Sequence, residues 1–153
     1  MSFVRRRFSK APVQLADGFA RRVRRTPDSQ LERLMSGRAR RAILDGIFWQ
    51  MPRHLNRRQA AGMNAVLQWR ITSPGGAVDG YRLSITGQGC RVTRRTIDPA
   101  AHVTITLSGS EFLRVITGSS DPMQGYLSGR IKIAGDIMLA AKLQSLFRMP
   151  GSG

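Results

Sequence analysis

Between residues 52 and 65 the hydrophobic repeat of this chain drops from near four residues to two. Upstream, Ala42, Ile43, Ile47, Phe48 and Met51 recur at three- and four-residue steps up to Pro52, which predicts an amphipathic helix with Arg40, Arg41, Asp45 and Gln50 on its polar face. Downstream, Ala65, Leu67, Trp69 and Ile71 alternate with Val66, Gln68, Arg70 and Thr72, the pattern of a half-buried strand. Pro74, Gly75 and Gly76 turn the chain into a second strand with Tyr81, Leu83 and Ile85 on one face, which completes a hairpin. A chain that makes this switch must bury a helical stripe against one face of a sheet.

The same signals continue to the C-terminus. A third strand is expected around Cys90 to Thr96, closed by Asp98 and Pro99, and a fourth from His102 to Leu107 with Val103, Ile105 and Leu107 inward. Strands in this sequential order predict an antiparallel meander, wet on one face. Ser108 and Ser110 offer caps for a helix through Glu111 to Ile116, and Asp121-Pro122 opens a second short helix that leaves at Ser128-Gly129. A fifth strand, Arg130 to Ile133, leads through Gly135 and Asp136 into one last helix from Ile137 to Phe147. Ahead of all this, Asp28 or Ser29 is expected to cap a helix over about 29 to 36. The fold class is α+β: a five-stranded, mainly antiparallel sheet with helices packed on one face.

Groups for covalent chemistry are scarce. The two histidines, His54 in a polar joint and His102 on an outward strand face, stand in no recognisable arrangement with a serine or cysteine nucleophile. No nucleophile elbow, zinc-binding HExxH, P-loop or GxGxxG turn occurs, so neither an enzyme, nor a metal site, nor a cofactor is expected. Asp98, Glu111, Asp121 and Asp136 all stand at element starts, where capping and turn formation account for them. Cys90 is the single cysteine, which rules out an internal disulfide and suits a buried hydrophobe.

Charge divides the chain unevenly. Residues 1 to 41 carry twelve of the 25 cations and only three acids, and the net charge of the whole chain is +16. Such a front attracts anionic surfaces, and Arg5, Arg6, Arg7, Arg21, Arg22, Arg24, Arg25, Arg40 and Arg41 are the expected membrane- or anion-contacting residues. Arginine outnumbers lysine 22 to 3, which fits either phosphate recognition or a GC-rich genome. Val13, Leu15, Phe19 and Val23 interleave with the charges, as in an amphipathic membrane-surface helix, a mitochondrial presequence or a solvated tail. The arginine clusters also meet the electrostatic test for nucleic-acid binding, but they match no helix-turn-helix or RNP motif. No stretch of about 18 apolar residues is present to span a bilayer. The chain is expected in the cytoplasm, peripheral to a membrane, or in the mitochondrial matrix if its source is eukaryotic. The terminal Gly151-Ser152-Gly153 is not a peroxisomal signal.

From about Ile43 onward the chain resembles the sterol carrier protein type-two family. The resemblance rests on Asp121-Pro122, on Gly-Arg-Ile-Lys-Ile-Ala-Gly-Asp at 129 to 136, and on Leu139-Ala140 with Lys142-Leu143-Gln144-Ser145-Leu146. Weaker echoes are the Met51-Pro52 helix exit, the strand Asn64 to Ile71, and Ser110-Glu111-Phe112. It implies a lipid-binding domain over 38–150, and the charge and length of the chain leave a basic, partly helical extension over 1–37 before it and a flexible tail over 151–153 after it. It also implies an apolar tunnel between sheet and helices that holds a sterol, fatty acyl chain or isoprenoid for transfer or presentation.

The tunnel candidates that follow are Ile47 and Met51 from the entry helix, and Leu67, Trp69, Leu83, Ile105 and Ile133 from the strands. Phe112, Ile116, Met123 and Leu127 follow from the middle helices, and Met138, Leu139, Leu143, Gln144 and Phe147 from the last. Gln144 would meet a polar headgroup. Without the resemblance, the same Met and Leu stripe reads more often as plain core than as a ligand cavity. The expected partners are a hydrophobic small molecule and an anionic membrane. A scaffold that hands a polyprenyl or quinone intermediate to a protein complex, or a basic nucleic-acid binder, stand as alternatives.

Overall fold

The computed structural model describes residues 18–147. Helix α1 covers 18–25, and α2 (Asp28–Leu34) and α3 (Ala39–Gln50) follow it. A 3-10 turn over Met51–His54 and a single helical turn, α4 (Arg57–Ala60), fill the polar joint between α3 and the sheet. The sheet comprises β1 (Ala65–Thr72), β2 (Val78–Thr86), β3 (Gly89–Arg94), β4 (Val103–Ser108) and β5 (Ile131–Gly135). Between β4 and β5 lie α5 (Gly109–Ile116) and α6 (Pro122–Leu127), and after β5 come α7 (Ile137–Ala141) and α8 (Leu143–Leu146).

Strand order corrects the expected meander. The sheet runs β3-β2-β1-β4-β5, with β4 parallel to β1 and every other pair antiparallel. The chain therefore crosses from one edge of the hairpin to its far side through residues 95–102, over the face expected to be wet. Gln68 donates its side-chain amide to the Arg95 carbonyl, Arg70 donates to the Thr96 carbonyl at 2.6 Å, and the Arg82 guanidinium lies 2.8 Å from the Asp98 carboxylate. The crossover leaves β1 covered on both faces, with Val66 and Gln68 as buried as Leu67 and Trp69.

Helices cover the other face. Phe48 of α3 stacks on Tyr81 at 3.9 Å and on Phe112 of α5 at 5.1 Å between ring centroids, and Trp69 meets Phe48 and Phe112 edge-on. Such pairs strengthen a core beyond the area they bury. Val23, Leu31 and Met35 belong to this same core, so the extension expected over 1–37 already packs into the domain from α1 onward. Arg114 of α5 holds it there, donating to Asp28 at 2.6 Å and to the carbonyl of Thr26 at 2.8 Å.

Two local expectations also change. The N-cap of α2 is Pro27, and Asp28 spends its carboxylate on Arg114 instead of on the helix end. The single last helix is broken at Lys142 into α7 and α8, and Phe147 leaves it in extended conformation to bridge Leu55.

Candidate functional site

A small cavity lies where the sheet's helix-covered face meets its second half. Trp69 of β1, Ile105 and Leu107 of β4, and Ile131 and Ile133 of β5 form its floor. Val115 of α5, Pro122 of α6, Ala140 of α7 and Leu143 of α8 form its roof. Same-face alternation sets the floor, because β4 and β5 pair Ile105 with Ile133 and Leu107 with Ile131 in register. Three side-chain caps set the roof: Ser108 accepts from Glu111 N–H, Asp121 from Met123 N–H, and Asp136 from Leu139 N–H, each fixing where a helix starts.

The cavity holds about 10 Å³, the space of one water. Its lining side chains are hydrocarbon except for the indole of Trp69, whose ring nitrogen is buried and meets no acceptor among the described residues. Trp69 itself is 1% exposed.

The sequence-derived tunnel residues separate into groups. Trp69, Ile105, Ile133 and Leu143 line the cavity. Met51, Leu67, Leu83, Phe112, Ile116, Leu139 and Phe147 are buried in the surrounding core, with Ile47 and Met123 half-buried beside it. Leu127 and Met138 instead point to solvent, 74% and 70% exposed, because α6 and α7 turn their other faces to the sheet. The Gln144 side chain lies outside the described residues. Sequence reasoning passed over Leu107, Val115, Pro122, Ile131 and Ala140 as lining. Leu107 and Ile131 were available through their two-residue spacing from Ile105 and Ile133, whereas the small side chains of Pro122 and Ala140 carry no such signal.

Among the arginines, Arg21, Arg22, Arg24, Arg25 and Arg41 are exposed, while Arg5, Arg6 and Arg7 lie outside the described residues. Arg40 corrects the expectation: it is 7% exposed and spends its guanidinium inside the fold. It donates to Asp79 at 2.8 Å and to the carbonyls of Met35, Ile71 and Thr72 at 2.8, 2.6 and 3.3 Å. Asp79 in turn pairs with Arg94, which also reaches Asp45 and sits 5.3 Å over the Tyr81 ring. Tyr81 donates to Asp45 at 2.6 Å, and burial together with that carboxylate pushes its hydroxyl well above the ordinary phenol range. Burial likewise pushes the Cys90 thiol up to about 11.

The remaining polar residues serve the framework. His102 accepts from Val66 N–H through Nδ1 at 2.9 Å, and Glu111 accepts from the Ser120 hydroxyl at 2.7 Å. No group of three or more His, Cys, Asp and Glu side chains suited to a metal ion occurs among the described residues.

Comparison with known proteins matches residues 47–148 to the model of the SCP-2 sterol transfer family. Peroxisomal multifunctional enzyme type 2 of Mus musculus is 30% identical over 112 residues, which are 73% of this chain and 15% of that protein. Sterol carrier protein 2 of Homo sapiens is 42% identical over 55 residues, 36% of this chain and 10% of that one. The chain thus spans only a small part of the curated relatives it matches. Among solved structures, the complex of Aedes aegypti sterol carrier protein 2 with palmitate superimposes with a TM-score of 0.52 at 18% identity, over 66% of this chain and 90% of that one. That likeness is one of fold.

Proposed function

The chain belongs to the SCP-2 sterol transfer family, and from that premise we propose that it binds a hydrophobic lipid without chemical change and transfers or presents it. The observation that carries this reading is the hydrocarbon cavity between β1, β4, β5 and the four short helices above them. Palmitate in the related Aedes aegypti protein supplies the class of guest. Helices of five and four residues in α7 and α8 make a roof that can be displaced at low cost, since each buries only two side chains or so.

Displacement is required. A lipid-sized site encloses about 300 Å³ or more, and the cavity holds about 10 Å³. Binding therefore swings α7 and α8 away from Ile131 and Ile133, and the guest replaces their contacts with the floor. Exposed Leu127 of α6 and exposed Ile137 and Met138 of α7 are followed within five residues along the chain by the exposed cations Arg130 and Lys142 respectively. Apolar side chains among cations suit an anionic membrane as donor or acceptor of the lipid.

Native mass spectrometry of the purified protein with lipid extraction tests the reading, repeated on Leu143→Trp to fill the cavity from the roof. The expected result is a bound lipid in the wild type and its loss in a variant that keeps the native circular dichroism spectrum. A wild type that carries no lipid and takes up neither fatty acid, sterol nor isoprenoid overturns it.

A further inference from the structure

Trp49, near the end of α3, is 50% exposed, and the turn and helix that follow it carry Arg53, Arg57 and Arg58, all exposed. Among the described residues no ion pair uses any of these three guanidinium groups. Between Asp45 and Asp79 the chain holds no acid, and Asp45 itself is committed to Tyr81 and Arg94. We propose that residues 49–58 form the surface on which the protein docks to an anionic bilayer, with Trp49 entering the headgroup layer and the three arginines pairing with lipid phosphates. The proposal rests for its purpose on the lipid-binding reading above and names the partner surface that reading needs; docking is measured apart from uptake, so each can fail alone.

The backbone ties this surface to the cavity. Asn56 donates its N–H to the carbonyl of Leu146 at 2.6 Å, and Leu55 forms a bridge with Phe147. Helix α8 packs against both α4 and α7, its Leu143 lines the cavity roof, and it starts beside the exposed Lys142. A bilayer held by residues 53–58 therefore meets the protein next to the segment that must move to admit a lipid. The arginines also stand on a fixed backbone: the Asn56 side chain accepts from Arg58 N–H and Gln59 N–H at 3.1 and 3.3 Å, and Met51 and Ala60 are buried on either side.

Three unpaired guanidinium groups attract any anion; the tryptophan narrows the partner. An indole has an apolar body and one polar N–H, and it is most stable at the boundary between hydrocarbon and water. One turn before Arg53 it completes the pairing that interfacial segments use, cations for the phosphates and an apolar side chain for the layer beneath. The arginine face of α1 lacks the second part. There Ala20 and Val23 are buried and Phe19 packs on the core, so Arg21, Arg22, Arg24 and Arg25 present charge alone. On this reading α1 adds attraction from a distance, and residues 49–58 make the seat.

Flotation with vesicles of phosphatidylcholine and about 30% phosphatidylglycerol compares the full chain with Arg53→Gln/Arg57→Gln/Arg58→Gln and with Arg21→Gln/Arg22→Gln/Arg24→Gln, which removes the same charge from α1. The first variant is expected to lose at least about tenfold in vesicle affinity and the second no more than about threefold. Both should keep the wild-type circular dichroism spectrum and the wild-type affinity for a fluorescent fatty acid measured without vesicles. Brominated acyl chains in the vesicles should quench Trp49 of the unmodified chain, with Trp49→Phe supplying the baseline of the buried Trp69. Equal losses in the two triple variants, or a Trp49 left unquenched, overturn the proposal and leave lipid uptake as measured. Tighter binding to an oligothymidylate than to the vesicles, lost in the first variant, also overturns it and makes the surface a nucleic-acid site. Docking as expected without uptake of fatty acid, sterol or isoprenoid upholds the surface and removes the lipid-binding reading.

Discussion

Arg40 shows how a single side chain can bind three elements that lie apart in sequence. Its guanidinium joins the end of α2 at Met35, the end of β1 at Ile71 and Thr72, and Asp79 of β2. Arg40→Met leaves those carbonyls without their donor and is expected to cost about 3 kcal/mol in urea unfolding. Arg40→Lys should recover less than half of that, because an ammonium cannot span the fork; full recovery would mean that charge alone matters. The sequence marks Arg40 as one more cation on a polar helix face, since Asp79 lies 39 residues away and only the fold brings them together. Tyr81 and Cys90 make a prediction of another kind. Both hold their protons more tightly when folded, whereas the unfolded chain releases them from ordinary values of 10.0 and 9.0. Their contribution is therefore fully present below about pH 9 and is lost as pH rises through 9 to 11. Melting temperature should hold from pH 7 to 8.5 and then decline, and a Tyr81→Phe/Cys90→Ala double variant should flatten the decline. An unchanged alkaline slope in that variant would assign the loss elsewhere.

At the scale of elements, what each segment becomes was largely legible and which segments meet was not. Alternation marks all five strands, and Pro74 to Gly76 and Gly87 to Gly89 mark the two hairpin turns. Nothing local says that β4 skips β3 and β2 to lie along β1, because that pairing is decided by which floor buries both faces of β1. One hint was present: Ala65, Val66 and Leu67 form an unbroken apolar run, the composition of a strand covered on both sides. The crossover also explains Gly80, where a methyl group would run into the backbone carbonyl of Arg95. Gly80→Ala should thus cost about 2–4 kcal/mol by prising the crossover off the sheet, read as a lower urea midpoint; a variant as stable as wild type would show that residues 95–102 can shift freely. The break at Lys142 was likewise invisible, since Ile137 to Leu146 keeps a helical repeat straight through it. That break matters for the roof. Hydrogen exchange should find the amides of 137–146 opening well before those of β1 and β4, and lipid should slow them. Amides there as protected as those of β1 would argue that the cavity is ordinary core.

For the whole molecule the question is where a lipid leaves or enters. The +16 charge is spread over exposed arginines at the front and over Arg130, Lys132 and Lys142 in the second half of the chain, so the attraction to an anionic bilayer that the proposed function invokes would not be tied to one residue. Attraction alone moves no lipid; the roof must also touch the hydrocarbon. On the proposed reading Leu127, Ile137 and Met138, exposed on α6 and α7, are the side chains that would do so. Proposed delivery at a membrane therefore separates into two measurable steps. Docking should strengthen with the anionic fraction of the vesicles and weaken from about 0.05 to 0.5 M salt as the Debye length shrinks. Transfer should need the apolar rim as well: a Leu127→Ser/Met138→Ser variant is expected to keep its bound lipid and its salt-dependent docking, and to deliver a fluorescent acyl lipid at least about fivefold more slowly, since each exposed side chain contributes about 1 kcal/mol or more when it enters hydrocarbon. Undiminished transfer by that variant would move the exit away from α6 and α7, and salt-independent docking would remove the bilayer's charge from the account.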